Sequence, residues 1–119
     1  MLKAKNDFSL IIFGASGHLA RIKIFPALYY MALKKRFPKK FAIIGYARSE
    51  MDNEGFKSKF SDAVLEHVPA VNEEVLSELL EHVHYERGQY DSEEDFKKLN
   101  TRLSEIEKDF ESKSVRIAY

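Results

Sequence analysis

Residues 8–17 have the sequence FSLIIFGASG, an apolar run that ends in a glycine-rich turn. The first six of these residues are mostly β-branched or aromatic, which is typical of a strand buried on both faces of a sheet. From about Leu19 to Arg36 the pattern predicts a helix that Pro26 interrupts. We expect a kink or a restarted helix there, with Pro26 in a first-turn position, where its missing N–H costs little. A buried strand, a glycine turn and a helix in this order favour an α/β fold.

Beyond Arg36 the chain continues to alternate between strand and helix patterns. We expect a strand over 41–46, a helix over 53–67, a short helix ending at Leu80, a weak strand over 82–86, a long helix ending near Phe110 and a strand over 115–119. Asp52, Asn72 and Ser92 are the expected N-cap residues of the three later helices. Ser92 with Asp95 forms a capping-box pattern, with Asp95 in the place of the usual Glu.

Alternating strands and helices predict right-handed βαβ units and therefore a parallel sheet. The predicted fold class is α/β, a partial Rossmann-like doubly wound parallel sheet of about four strands with helices on both faces. The 119 residues are enough for one domain, and an apolar fraction of 45% can supply its core. Because the last strand has no following helix, the sheet looks unfinished. We expect self-association through this exposed edge.

Composition excludes several classes of function. The chain has no cysteine, which excludes disulfide frameworks and cysteine-based zinc sites, and we predict no metal site. Its longest apolar run is far shorter than the ~20 residues of a membrane span, and its start does not resemble a signal peptide, so we expect a cytoplasmic protein. Residues 1–48 carry ten Lys or Arg and one acid, whereas residues 49–119 carry eighteen acids. This split suggests an anionic ligand at the first part rather than nucleic acid.

The glycine turn, Gly14 to Ala20, has the pattern G-x-x-G-x-x-A between a strand and a helix, which is the setting of a dinucleotide-binding turn. Gly14 would permit the tight turn, Gly17 would let the backbone approach a pyrophosphate, and Ala20 would keep the helix close to the strand. Ser16 can add a hydroxyl to the N–H groups of the helix start, which favour phosphate. The alternative is an ordinary strand-to-helix turn that binds nothing.

Arg48 and Ser49 follow the second strand. A carboxylate at this place would bind the ribose hydroxyls and so favour NAD. A guanidinium can instead bind a 2′-phosphate and stack on adenine, so these residues favour NADP. The alternative is a solvated surface arginine. Arg21 and Lys23 follow the turn and could face phosphate, substrate or water.

Four segments together resemble glucose-6-phosphate dehydrogenase. Residues 14–28 resemble its signature GASGDLAKxKxxPAL, residues 41–49 its second strand with the GYAR motif, residues 88–91 its GQYD motif, and residues 116–119 the start of its RxxYLALPP strand. The resemblance spans the chain in order. It implies NADP-dependent oxidation of glucose 6-phosphate to 6-phosphogluconolactone in the pentose phosphate pathway.

The resemblance also implies roles for single residues. The family's GYAR arginine, matching Arg48, contacts the 2′-phosphate, and its signature lysine, matching Lys23, lies near the reacting centre. The turn residues expected to hold the cofactor pyrophosphate are Gly14, Ala15, Ser16, Gly17, His18, Leu19, Ala20 and Arg21.

Two positions depart from the family pattern, because His18 stands where the family has Asp and Ile22 where many members have a basic residue. None of the histidines matches the family's catalytic histidine, so we assign no catalytic residue. We expect residues 1–119 to be the amino-terminal part of an NADP-binding domain without the substrate and dimerisation domain. They would bind NADP without turnover, and glucose 6-phosphate would bind only to a full-length protein. The alternatives are a fragment of another NADP-dependent reductase and a structural remnant that binds no nucleotide.

Overall fold

Four parallel strands form the sheet on which the chain is built, and a computed structural model describes residues 7–110 and 115–119. The elements within these ranges are, in chain order, β1 (Phe8–Phe13), a π-helical turn (Ala20–Ile24), α1 (Phe25–Leu33), β2 (Phe41–Ala47), α2 (Asn53–His67), α3 (Glu73–Leu80), β3 (Val83–Arg87), α4 (Glu93–Ile106), a 3₁₀ turn (Glu107–Asp109) and β4 (Val115–Ala118). The predicted strands are all present, and their bounds differ by at most one residue at each end.

The strand order in the sheet is β3-β2-β1-β4, and every neighbouring pair is parallel. In the register, Phe8 on β1 lies between Phe41 on β2 and Val115 on β4. The chain therefore runs outward from β1 to β3 and then crosses back to the other side of β1. This reversal is the mark of a doubly wound sheet, and it confirms the predicted fold class.

Helices cover both faces of the sheet, as expected. One face carries α1, α2 and α3 over a large apolar cluster that contains Phe25, Phe60 and Leu79. The other face carries α4 over a smaller cluster that contains Ile44, Leu99 and Leu103. No helix in the described part of the chain is long and apolar enough to cross a membrane.

The first helical segment differs from a single helix ending at Arg36. Its turn over 20–24 is π-helical, and the Phe25 N–H donates to the Ala20 carbonyl five residues earlier. Pro26 then lies in the first turn of α1, where a helix tolerates a residue without N–H. α1 ends at Leu33, and Lys35 follows with a positive φ of 56°. The left-handed residue is what stops the helix before Arg36.

The predicted caps of α2 and α3 are confirmed, because Asp52 accepts from the Gly55 N–H and Asn72 accepts from two N–H groups of its helix. Ser92 also caps α4, and its hydroxyl accepts from the Asp95 N–H. The second half of the predicted capping box is wrong. The Asp95 carboxylate accepts from the Gln89 N–H at 2.9 Å, and so holds the loop before the helix.

Glu107 ties the end of α4 to two strands. The predicted helix to Phe110 is an α-helix to Ile106 followed by the 3₁₀ turn, and this places Glu107 over the sheet. The buried Ser9 hydroxyl donates to its Oε2 at 2.7 Å, and Arg116 on β4 donates from Nη2 to its Oε1 at 2.7 Å. Burial acts to raise the pKa of Glu107, but the hydrogen bonds from Arg116 and Ser9 outweigh it, so this pKa lies below the usual range.

Replacing Glu107 by Gln is expected to lower the free energy of unfolding by about 1–3 kcal/mol at neutral pH, because the charged acceptor of the hydrogen bonds from Ser9 and Arg116 is lost. The Glu107 pKa is lower in the folded chain than in the unfolded chain. Its stabilisation is therefore complete above the unfolded pKa and is lost as the pH falls through the folded pKa. Urea unfolding at neutral and acid pH measures the difference, which should shrink in acid.

The control for this substitution is Glu105→Gln, which removes the same charge from an exposed position in the last turn of α4. An equal loss of stability in both variants would contradict the role given to Glu107.

Candidate functional site

The glycine turn leaves β1 at the carboxyl edge of the sheet, where parallel α/β sheets bind their ligands. Gly14 has a φ of +72°, a conformation that side chains other than glycine rarely adopt. The Gly17 N–H donates back to the Gly14 carbonyl at 2.9 Å and closes the turn. Helical geometry then begins at His18. The turn therefore has the tight shape that its sequence predicts.

The turn is fixed to the end of β2 through the carbonyl of Tyr46. This oxygen accepts from the Gly14 N–H at 2.9 Å and from the Ala15 N–H at 3.4 Å. Next to it, a Cβ at Gly45 would lie 2.9 Å from the Ala15 Cβ and 2.5 Å from the Phe56 ring. Glycine at position 45 thus allows the turn and α2 to pack against the strand together.

Ser16 of the turn and Ser49 after β2 are in direct contact, since the Ser49 hydroxyl donates to the Ser16 hydroxyl at 3.0 Å. Arg48 lies beside this pair with an exposed side chain. Its carbonyl accepts from the Arg87 Nε at 3.1 Å. The structure therefore brings the turn and Arg48 to one corner of the sheet, and it adds Arg87, which the sequence analysis did not select.

A cavity of about 490 Å³ opens between the turn and α2. His18 and Arg21 line it from the turn side, together with Ala15, Ser16 and Gly17. Lys59, Asp62 and Glu66 line it from α2. These three residues are not among the predicted site residues, although their spacing places them on one stripe of the helix beside the buried face. The cavity thus offers the Arg21 guanidinium, the His18 ring and the Ser16 hydroxyl on one wall and mixed charge on the other.

The remaining predicted residues of the turn have different positions. Ala20 is buried in the core, Leu19 is 58% exposed, and Lys23 is exposed on the π-helical turn. Lys23 does not line the cavity, and neither does Arg48. The structure therefore groups most of the turn around the cavity and Arg48 around the Ser16–Ser49 contact, with Lys23 outside both.

An aromatic cluster supports the same edge of the sheet from the α4 face. Tyr46 stacks on Phe96 and contacts Phe13 and Tyr90 edge-on. Its hydroxyl donates to the Gln89 carbonyl at 2.8 Å. Burial raises the pKa of Tyr46, and nearby Asp95 and Glu86 add to the effect, so this hydroxyl stays a neutral donor. The loop between β3 and α4 is in this way fixed to the site.

His84 on β3 and His82, which directly precedes this strand, both lie away from the turn. His82 stacks on Phe41 at the amino end of β2, and its Nδ1 lies 2.9 Å from the Phe41 carbonyl. Burial lowers the pKa of His84 to about 4, and Arg102 and Lys57 contribute, so it is neutral at physiological pH. Residues 7–110 and 115–119 contain no group of three metal-ligating side chains that could hold an ion.

The sequence matches a known domain family along most of its length. The family described as glucose-6-phosphate dehydrogenase, NAD binding domain, matches residues 11–119. Glucose-6-phosphate 1-dehydrogenase of Schizosaccharomyces pombe is 38% identical over 109 residues, covering 91% of this chain and 22% of the relative. Chloroplastic glucose-6-phosphate 1-dehydrogenase 1 of Arabidopsis thaliana is 35% identical over 107 residues, covering 88% of this chain and 19% of the relative.

Solved structures show the same similarity. A glucose-6-phosphate dehydrogenase in complex with its substrate glucose-6-phosphate superposes with a TM-score of 0.84 and 32% identity, over 99% of this chain and 25% of that one. The Mycobacterium avium enzyme, at 21% identity and a TM-score of 0.76, shares the fold. The chain thus spans about a fifth to a quarter of the length of these proteins.

Substituting Gly45 by Ala is expected to destabilise the chain by about 1–3 kcal/mol, because the new methyl group overlaps the Phe56 ring. Adding Phe56→Leu should recover part of this loss by making room, so the two substitutions should be coupled in a double-mutant cycle. Urea unfolding of the four proteins measures the coupling. Fully additive losses would show that the close approach of the Phe56 ring does not constrain position 45.

Proposed function

We propose that the chain binds the adenosine and pyrophosphate part of NADP, because it belongs to the family of glucose-6-phosphate dehydrogenase NAD-binding domains. The observation that carries this proposal is the Ser16–Ser49 hydrogen bond, which joins the glycine turn to the end of β2. A bound dinucleotide extends from the glycine turn, which holds its pyrophosphate, to the end of β2, which holds its adenosine ribose. The family assignment also excludes the alternative of another NADP-dependent reductase.

The donors at this corner suit a phosphorylated nucleotide. Residues 18–20 offer the N–H groups at the start of a helix, and Ser16 offers its hydroxyl, which together favour phosphate oxygens. At the end of β2 the chain has Arg48 and Ser49 in the place where an acid would bind the ribose hydroxyls. This chemistry supports NADP over NAD as the cofactor. His18, which replaces an aspartate of the family, keeps its backbone N–H and lines the cavity.

The function of the whole protein follows from the family. NADP supplies the hydride acceptor for the oxidation of glucose 6-phosphate at C1 to the lactone, the first step of the pentose phosphate pathway. Residues 1–119 form the amino-terminal part of the nucleotide-binding domain in this proposal. Lys23 lies near the reacting centre, and glucose 6-phosphate binds in a full-length protein. A cytoplasmic location stays a prediction, because relatives such as the Arabidopsis thaliana enzyme are chloroplastic.

A calorimetric titration with NADP⁺ and NAD⁺ tests the cofactor assignment. NADP⁺ is expected to bind more tightly than NAD⁺, and Arg48→Ala should remove this difference. Loss of a charge-assisted hydrogen bond costs about 1.5–3 kcal/mol, which is about a tenfold change in affinity or more. Arg36→Ala is the control, because it removes the same charge at a position before β2, where the amino ends of the strands lie. A folded chain that binds neither nucleotide would favour the structural remnant.

The proposal includes self-association through the free edge of β4. This strand ends the sheet, and Val115 and Ile117 on it are 44% and 45% exposed. Open edges with apolar side chains pair readily with other strands. The average mass in sedimentation equilibrium should therefore rise with concentration, and Ile117→Lys should suppress the rise. Leu65→Lys, on exposed helical surface, is the control. A monomer at all concentrations would count against the proposal.

A further inference from the structure

Arg87 lies at the end of β3, directly beside the end of β2. The parallel register places Arg87 opposite Ala47, so Arg48 is the next residue along the neighbouring strand. The Arg87 Nε donates to the Arg48 carbonyl at 3.1 Å. The Arg87 guanidinium therefore lies against the backbone of Arg48, one residue before Ser49 and its contact with Ser16.

The two arginines have the donors and the charge to bind a doubly charged anion. Arg87 uses one of its five N–H donors on the Arg48 carbonyl, which leaves those of its terminal nitrogens. Both side chains are exposed, and neither forms an ion pair with a carboxylate within residues 7–110 and 115–119. A phosphate monoester carries nearly two negative charges at neutral pH, more than one guanidinium balances.

The backbone that carries Arg48 is held in place by β3. The Tyr85 hydroxyl donates to the Ser49 carbonyl at 2.5 Å and lies 3.2 Å from the Ala47 carbonyl. Burial raises the pKa of Tyr85, which keeps this hydroxyl protonated. Both arginines therefore start from fixed backbone positions, and less ordering is needed when an anion binds.

We propose that Arg87 is a second specificity residue, which binds the 2′-phosphate of the adenosine ribose together with Arg48. This inference rests on the proposed function, because it assigns a residue to the same nucleotide site. Arg87 has no part in the chemistry of hydride transfer. Its contribution is the discrimination between a ribose that carries a 2′-phosphate and one that carries a free hydroxyl.

The competing explanation is that Arg87 only braces the Arg48 loop through its Nε. A brace would support binding of both nucleotides, whereas a phosphate ligand would affect NADP⁺ alone. Calorimetric titrations of Arg87→Ala with NADP⁺ and with NAD⁺ separate the two roles. Arg36→Ala serves as the matched control, and far-ultraviolet circular dichroism with urea unfolding confirms that each variant is folded.

The expected result for Arg87→Ala is a three- to tenfold loss of NADP⁺ affinity, roughly the effect of one exposed charge-assisted contact. The NAD⁺ affinity should stay unchanged. Arg87→Lys should recover part of the loss, because it restores the charge without the planar fork. The effect should also decrease as the salt concentration rises.

Three outcomes would overturn the inference. Equal losses for NADP⁺ and NAD⁺ would make Arg87 a brace. Unchanged NADP⁺ affinity in Arg87→Ala, with a clear loss in Arg48→Ala, would leave the proposed function standing and remove Arg87 from it. Absence of NADP⁺ binding to the folded wild-type chain would overturn the proposed function and this inference together.

Discussion

The carbonyl of Tyr46 is the acceptor on which the carboxyl edge of the sheet depends. It accepts the N–H groups of Gly14 and Ala15, and so fixes the first turn of the chain to its second strand. Gly45, one residue earlier, leaves space for Ala15 and Phe56 to pack there. Buried backbone groups that are left without a partner cost free energy, so this pairing holds the turn in one position. Ala15, which this pairing fixes, lines the cavity beside the turn.

The same strand end also organises the surroundings of Arg48. Tyr46 lies in the core with its hydroxyl on the Gln89 carbonyl, while the Gly88 N–H donates to the Ala47 carbonyl. Tyr85 reaches the Ser49 carbonyl from β3. Loops that follow β1, β2 and β3 are thus connected to one another by hydrogen bonds. A nucleotide at this corner would meet donors whose positions are set before it binds, which lowers the ordering cost of binding.

The charge split along the sequence has a different meaning in three dimensions. Arg21 and Arg48 lie at the carboxyl ends of the strands. The basic residues within 34–40 precede β2 and lie at the amino ends. The basic first part of the chain is therefore not one patch. Conversely, Arg87 belongs to the acidic part of the sequence and yet lies beside Arg48. Parallel pairing of β2 and β3 makes this contact, and a count of charges along the chain does not show it.

The sequence by itself determined the strands, the helix caps at Asp52 and Asn72, the doubly wound class and the turn at Gly14, because these depend on local periodicity and backbone geometry. It did not determine which way the Asp95 carboxylate turns, since Gln89 competes with Ser92 for that carboxylate. Only the tertiary structure decided the contacts of Glu107 with Ser9 and Arg116, and of Arg87 with Arg48. Each pair joins residues of different elements, and only the packing of these elements against one another brings them together.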